Sequence, residues 1–144
     1  MRISQLLESR NPAGIVTCEA GTSLDSAVRT LAERRIGAMP VLGEHGAVLG
    51  IVSERDVLYC LAAEGTASLA KPVAEVMTAP AVTVSPDMSV DEALALMTAR
   101  RFRHVPVMQH GAMVGFLSIG DLVASRLAEV SHEAAALRDY IRTA

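Results

Sequence analysis

Two serine–aspartate pairs, Ser53 with Asp56 and Ser118 with Asp121, share the spacing Ser-x-x-Asp behind an apolar run. Each run reads as a strand, and each Ser marks a strand-to-helix junction. Free backbone N–H groups and the helix dipole favour an anion there, and a Ser hydroxyl can donate to a phosphate oxygen. A carboxylate three residues on would repel phosphate, but as an acceptor it has room for both hydroxyls of a ribose. Phosphate at the Ser and a cis-diol at the Asp describe a nucleotide in one orientation. Taken singly, the same residues are also a common stabilising device, an N-cap with an acidic residue in the first helical turn.

The pairs belong to a longer duplication. Residues 16–58 and 82–123 align almost without gaps, offset by 66 residues up to a turn and by 65 beyond it. Val16-Thr17 lies over Val82-Thr83, Ser23-Leu24-Asp25 over Ser89-Val90-Asp91, and Met39-Pro40-Val41 over Val105-Pro106-Val107. A repeat of this period marks one supersecondary unit made twice, whose copies bury a face against each other. Each unit opens on an apolar strand, Ile15–Cys18 and Ala81–Val84. Ser23 and Ser89 read as helix N-caps, and Ser89 with Glu92 as a capping box. Leu24, Ala27, Val28, Leu31 and Val90, Ala93, Leu94, Met97 then follow the stripe of a half-buried helix. Arg34-Arg35 and Arg100-Arg101 end these helices, where cations complement the dipole. Ala38–Leu42 with Ala47–Val52, and His104–Met108 with Met113–Leu117, read as hairpins. Second helices start after Ser53 and Ser118. The predicted order is β-α-β-β-α twice, an α/β (α+β) sandwich of sheet and helices.

Composition narrows the class. At roughly 60 residues each copy is marginal alone, so the two are expected to share one core. Hydrophobic residues make up 51% of the 144 and aromatics only 3%, which leaves little surface for stacking single-stranded bases. The net charge of −3 argues against a nucleic-acid partner. Cys18 and Cys60 form no CxxC pattern, which fits a reducing compartment. The opening Met-Arg-Ile-Ser-Gln-Leu-Leu-Glu is too polar for a signal peptide, and no apolar run approaches the ~20 residues of a spanning helix. A cytoplasmic protein with no membrane partner is expected.

The ordered set Arg/His-x-Pro-Val, a turn, then Gly-hydrophobic-hydrophobic-Ser-x-x-Asp resembles the cystathionine-β-synthase (CBS) domain, and its tandem over about residues 1–128 resembles a CBS pair, or Bateman module. The stretches Arg101–Val107 and Val114–Asp121 are especially similar to stand-alone bacterial CBS-pair proteins. The resemblance implies two repeats, 1–66 and 67–128, packed with pseudo-two-fold symmetry, and it leaves 129–144 as a C-terminal helix extension. It implies clefts between the repeats that bind adenosine nucleotides or related ligands (AMP, ADP, ATP, NAD, S-adenosylmethionine) in a regulatory rather than obligatory role, and a homodimer that reports to an unknown regulated protein. With two Ser-x-x-Asp copies inside this pattern, the ligand reading outweighs the cap.

Carried onto this chain, the implied nucleotide-binding residues are Thr83, Arg103, His104, Val105, Pro106, Ser118, Ile119 and Asp121 in one set. Thr17, Ala38, Met39, Pro40, Ser53, Arg55 and Asp56 form the other. Backbone groups of Ala38-Met39-Pro40 and Val105-Pro106 resemble the stretch that meets the adenine ring. Thr17 and Thr83 could hydrogen-bond sugar or base, or simply fill an alternating strand. Arg103 and His104 stand where the first copy has Gly37 and Ala38. In the family a basic residue at the His104 position reaches the phosphates, and a His near its ordinary pKa would make binding pH-dependent. The first copy carries Glu54 and Arg55 inside its motif. The Ser118/Asp121 site is therefore expected to hold a phosphorylated nucleotide well. The Ser53/Asp56 site is expected to be weaker, differently selective or empty.

Other chemistries find no support. His45, His104, His110 and His132 make no metal-ligand spacing with the cysteines, and no phosphate-binding glycine loop or catalytic signature occurs. Val123, Leu127, Val130, Ala134, Leu137 and Ile141 are spaced 4, 3, 4, 3, 4, an a/d seam. Near Val123 it is expected to pack on its own sheet, and beyond Val130 against a partner chain or the Ile3, Leu6, Leu7 segment. A non-catalytic nucleotide sensor is the leading expectation; the alternative is a dimeric scaffold whose clefts have lost their ligands.

Overall fold

The computed structural model describes residues 1–143, so Ala144, the last residue of the expected extension, lies outside the described residues. Helix α1 (Ile3–Leu7) precedes the first copy, which runs β1 (Cys18–Glu19), α2 (Leu24–Arg34), β2 (Ala38–Leu42), β3 (Val48–Ser53) and α3 (Glu54–Glu64). The second copy runs α4 (Val90–Arg100), β4 (His104–Gln109), β5 (Ala112–Ser118) and α5 (Ile119–Thr143). Two mixed helix-and-strand repeats and a C-terminal helix make up the chain. The opening strands are shorter than expected. β1 has two residues and pairs parallel with β2, Cys18 opposite Val41; its counterpart is one parallel bridge, Val84 to Val107. Residues expected at the start of these strands, Ile15, Val16, Ala81 and Val82, line clefts instead of pairing.

Local chemistry places the helices. Ser23 Oγ accepts from the Ser26 N–H at 3.2 Å, and Ser89 Oγ from the Glu92 N–H at 3.0 Å. No bond returns from Glu92 to Ser89, so only half of that box forms. Arg35 and Arg101 terminate α2 and α4 in the left-handed region, φ 53° and 59°. Each turns its chain straight into the hairpin's first strand. The hairpins put Ser53 opposite Ala38 and Ser118 opposite His104.

The expected single core is two. Leu24, Ala27, Leu31, Met39, Val41, Val52 and Val73 form one cluster. Ile3, Val84, Val90, Ala93, Met97, Val105, Val107, Leu117 and Leu122 form the other. The segment that leads into each copy completes the core of the opposite one. Ile3, with Leu6 and Leu7 against it, packs into the second copy, while Val73, Val76 and Met77 pack into the first. Burying a side chain such as Ile3 completely stabilises by about 2 kcal/mol. This crosswise packing supplies what each small unit lacks by itself.

Helix α5 carries Leu122, not Val123, into the core: Leu122 is 0% exposed and Val123 is 42% exposed. The seam expected to start on its own sheet at Val123 is therefore turned one residue away from it. Met1 bonds to α5 at Ser125 and Glu129. Val130, Leu137, Tyr140 and Ile141 lie beyond that contact and are exposed.

Candidate functional site

Each cleft is built where a lead-in segment crosses a hairpin of the opposite copy. Thr78, on the segment entering the second copy, exchanges two backbone hydrogen bonds with Ile51 of β3, at 3.0 and 2.9 Å. The approach is close enough to require glycine beside it, because a Cβ at Gly50 would stand 2.5 Å from the Thr78 carbonyl oxygen. At the equivalent place, a Cβ on Gly115 of β5 would meet Leu7 of the segment entering the first copy.

The first cleft, about 400 Å³, lies over the start of α3. The Asp56 carboxylate turns Oδ2 inward, accepting from the Ser53 N–H at 2.9 Å and the Ser53 hydroxyl at 3.0 Å, while Ser53 Oγ accepts from the Asp56 N–H. The stabilising cap weighed from the sequence is thus formed in full. It uses only one carboxylate oxygen. The other, Oδ1, accepts from Thr78 Oγ1 at 2.8 Å. Around it stand Arg55, Arg101, Arg103 and His104, with Glu54, Tyr59, Pro80, Ala81, Val82 and Phe102. Three arginines outnumber two carboxylates, so the cleft can hold an anion beside an acceptor whose Oδ1 carries the Thr78 hydroxyl.

His104 is the hinge of this wall. Its ring stacks on Phe116 with centroids 5.6 Å apart and planes 13° from parallel, and Gly37 leaves room beside Cε1. Burial pushes its pKa below the ordinary value, and Arg103 adds to that, against the opposing pull of Asp121 and Glu54. The ordinary pKa assumed from the sequence is corrected accordingly: the folded protein favours the neutral imidazole.

The second cleft, about 420 Å³, is lined by Leu7, Arg10, Asn11, Gly14, Ile15, Val16, Ile36, Ala38, Val114, Gly115 and Phe116. Ser118 and Asp121 repeat the reciprocal cap, with the Ser118 N–H donating to Asp121 Oδ2 at 2.8 Å and Asp121 N–H to Ser118 Oγ at 3.0 Å. Here Oδ1 pairs with the Arg10 guanidinium at 3.1 Å. Burial disfavours the charge on Asp121, but hydrogen bonds from Ser118 and Arg10 outweigh it and hold the carboxyl below its usual range.

The grouping expected from the sequence is therefore exchanged. Arg103 and His104 were expected beside Ser118 and Asp121; they line the cleft of Ser53, Arg55 and Asp56. Ala38, expected with Ser53, lines the Arg10 cleft. The reason is the crossing: the first cleft joins Ser53 and Asp56 of one copy to Arg103 and His104 of the other, whereas Ser118 and Asp121 do not line the second cleft and are joined to it through Arg10. Thr17 and Thr83 adjoin the lining residues Val16 and Val82 without lining either cleft themselves. Met39 and Val105 are core side chains, 0% exposed. Pro40 and Pro106 are buried in strand pairing. Ile119 donates its N–H to the Arg103 carbonyl and packs on the second core. Sequence reasoning missed Thr78 and Arg10, which partner the two aspartates, and Tyr59 and Phe116 on the walls. The only signal for Thr78 and Arg10 was their position on the equivalent lead-in segments.

Among the described residues no group of three His, Cys, Asp or Glu side chains is arranged to hold a metal ion, and no helix is long and apolar enough to cross a membrane. Burial pushes the Cys18 thiol up to about 11, far from a reactive thiolate.

The family model for the CBS domain matches twice, at residues 9–63 and 73–127. The chain is 35% identical over 129 residues to the CBS domain-containing protein CBSX3, mitochondrial, of Arabidopsis thaliana, covering 87% of this chain and 63% of that one. It thus spans under two thirds of the length of that relative. Among solved structures, the CBS-domain containing protein ATU1752 from Agrobacterium tumefaciens is 38% identical with a TM-score of 0.82, over 87% of this chain and 92% of that one. The CBS domain pair of protein MJ0100, solved in complex with 5′-methylthioadenosine and S-adenosyl-L-methionine, is 25% identical with a TM-score of 0.75, over 91% and 98%.

Proposed function

From a chain that belongs to the CBS-domain family and carries two copies of that domain, we propose a regulatory module that binds an adenosine nucleotide and has no catalytic activity of its own. The observation that carries this reading is Asp56 Oδ1. It faces a cleft of about 400 Å³ with only a hydroxyl on it, and the arginines of the same cleft stand ready for phosphate. A ribose hydroxyl replaces the Thr78 hydroxyl like for like. The adenosine ligands of the MJ0100 pair support the same class. AMP, ADP and ATP fit the cationic wall best, with NAD and S-adenosylmethionine as further ligands to compare. Binding reports adenylate state to another protein by changing how the two copies pack. The reading reverses the ranking expected from the sequence, because the arginines and His104 stand in the Asp56 cleft.

A thermal-shift screen against these five compounds tests the ligand class, since a ligand at 100 times its Kd adds ~2.7 kcal/mol of stability. The ribose assignment is tested on the intact protein: 2′-deoxy-AMP is expected to bind more weakly than AMP by about 1–3 kcal/mol, the usual range for losing a hydrogen bond to a charged group. Equal affinities in calorimetry would remove the ribose from Asp56. No response to any of the five would favour the alternative, a dimeric scaffold.

A further inference from the structure

The two motif aspartates differ in what the chain itself places on Oδ1, and Asp56 lines its cleft while Asp121 adjoins the other through Arg10. At Asp56 it is a neutral hydroxyl, Thr78 Oγ1 at 2.8 Å. At Asp121 it is a full positive charge, the Arg10 guanidinium at 3.1 Å. Among the described residues Arg10 is also the one charged residue lining the second cleft, whose other walls are mostly apolar, among them Leu7, Ile15, Val16, Val114 and Phe116. A diol that took Asp121 from Arg10 would leave that guanidinium facing an apolar wall with no counter-charge, an unfavourable exchange. A ligand that brought its own anion would give Arg10 a new partner as it released the old one. The pair is partly exposed, 45% on Arg10 and 30% on Asp121, and such pairs shift an equilibrium by less than about fivefold. Arg10 can therefore be drawn off Asp121, so it selects among ligands and does not seal the cleft.

We propose that Arg10 is the specificity-determining residue of the second cleft, disfavouring uncharged nucleosides and favouring anionic nucleotides whose phosphate takes over its guanidinium. This rests on the reading of the clefts as nucleotide sites. The Asp56 cleft has no such filter, because its carboxylate carries only a hydroxyl and its arginines are independent of that carboxylate's partner. The protein thus has two unequal sites: the first accepts the adenosine moiety with or without charge, and the second prefers the phosphorylated form.

Amide shifts of the intact chain, titrated with adenosine and separately with AMP, read the clefts one by one. Asn11 and Gly115 report on the second cleft, and Gly37 and Thr78 on the first. In the wild type, AMP is expected to move Asn11 and Gly115 with at least tenfold higher affinity than adenosine. In Arg10→Gln that preference should fall to about twofold or less, through weaker AMP and up to about fivefold tighter adenosine binding, with the Gly37 and Thr78 curves unchanged. Arg10→Lys should restore much of the preference for AMP, which a purely structural role for Arg10 would not predict. An AMP preference at Gly115 that is the same in wild type and Arg10→Gln overturns the proposal. So does a Gly115 amide that neither ligand moves while Gly37 responds, an outcome that leaves the first cleft's assignment standing. If neither ligand moves any of the four amides in the wild type, the nucleotide reading itself fails and this proposal with it.

Discussion

His104 carries more consequence than its place in a basic cluster suggested. It stacks on Phe116, which lines the second cleft, while lining the first itself. One aromatic pair therefore forms part of both walls. Burial lowers its pKa, so the folded state favours the neutral imidazole. The unfolded chain binds a proton near the ordinary value of about 6.5. Its contribution to stability is therefore complete above that value and is lost as pH falls from there through the depressed folded value. Asp121, with its carboxyl also held low, acts in a separate window: its contribution is complete above the ordinary carboxylate range and lost only as pH falls below it. Urea denaturation between pH 7 and pH 5 is expected to show a loss of stability in the wild type that His104→Gln largely removes. Parallel pH curves for the two proteins would mean that His104 does not titrate in this range. The clustering Arg101-Phe102-Arg103-His104 was legible in the sequence. Its burial and its cleft were not, because both depend on Phe116 and Glu54, which lie on other elements.

At the scale of elements, the lead-in segments organise the sites. The segment of Thr78 lies flat against β3 because Gly50 has no side chain, and this contact carries the Thr78 hydroxyl to Asp56. Gly50→Ala would drive a methyl group into a backbone carbonyl, which cannot turn aside. Gly115→Ala would meet the tip of the Leu7 side chain, with Cδ2 at 2.6 Å, and Leu7 can change rotamer. Gly50→Ala is therefore expected to cost about 1–3 kcal/mol, in the range of overpacking a tight site, and Gly115→Ala distinctly less. Chemical denaturation of both variants checks the order, and the Gly50 variant should also bind AMP more weakly. Equal losses would mean that the Thr78 segment can shift as freely as a side chain. The hairpins, capping serines and helix-ending arginines were all readable from short-range patterns. The shortened opening strands were not, since an apolar run lining a cleft looks the same in sequence as one that pairs.

At the scale of the whole molecule, apolar surface remains uncovered. Leu58 on α3 and Val123 on α5 occupy equivalent positions and are 63% and 42% exposed. Leu127, Leu137 and Ile141 extend the apolar face along α5, a helix of 25 residues and so about 37 Å long. Exposed apolar patches of this kind mark interaction surfaces, and two-fold closure is the commonest way to cover one. A homodimer in sedimentation at micromolar concentration is the expected outcome, with α3 and α5 near the axis. Deleting residues 130–144 should loosen the dimer without abolishing nucleotide binding, because every residue lining the two clefts lies outside that segment. A monomeric wild type would leave the α3 and α5 faces to a different partner. A truncated protein that dimerises as tightly as wild type would confine the interface to the repeats.

The sequence by itself determined the duplication, the order of elements, both hairpins and the two Ser-x-x-Asp caps. The duplication is read from a repeat over 65–66 residues; the rest follows from short-range spacing, where helix and strand periods and cap chemistry act directly on neighbouring residues. Only the tertiary structure decided that the copies keep separate cores and that each lead-in crosses to the opposite copy. It also decided which wall faces which motif, so that Arg103 and His104 meet Asp56 while Arg10 meets Asp121. Pairing over such distances is set by how whole apolar faces such as Ile3 and Val73 find burial. No local spacing records which of two nearly identical copies will provide it.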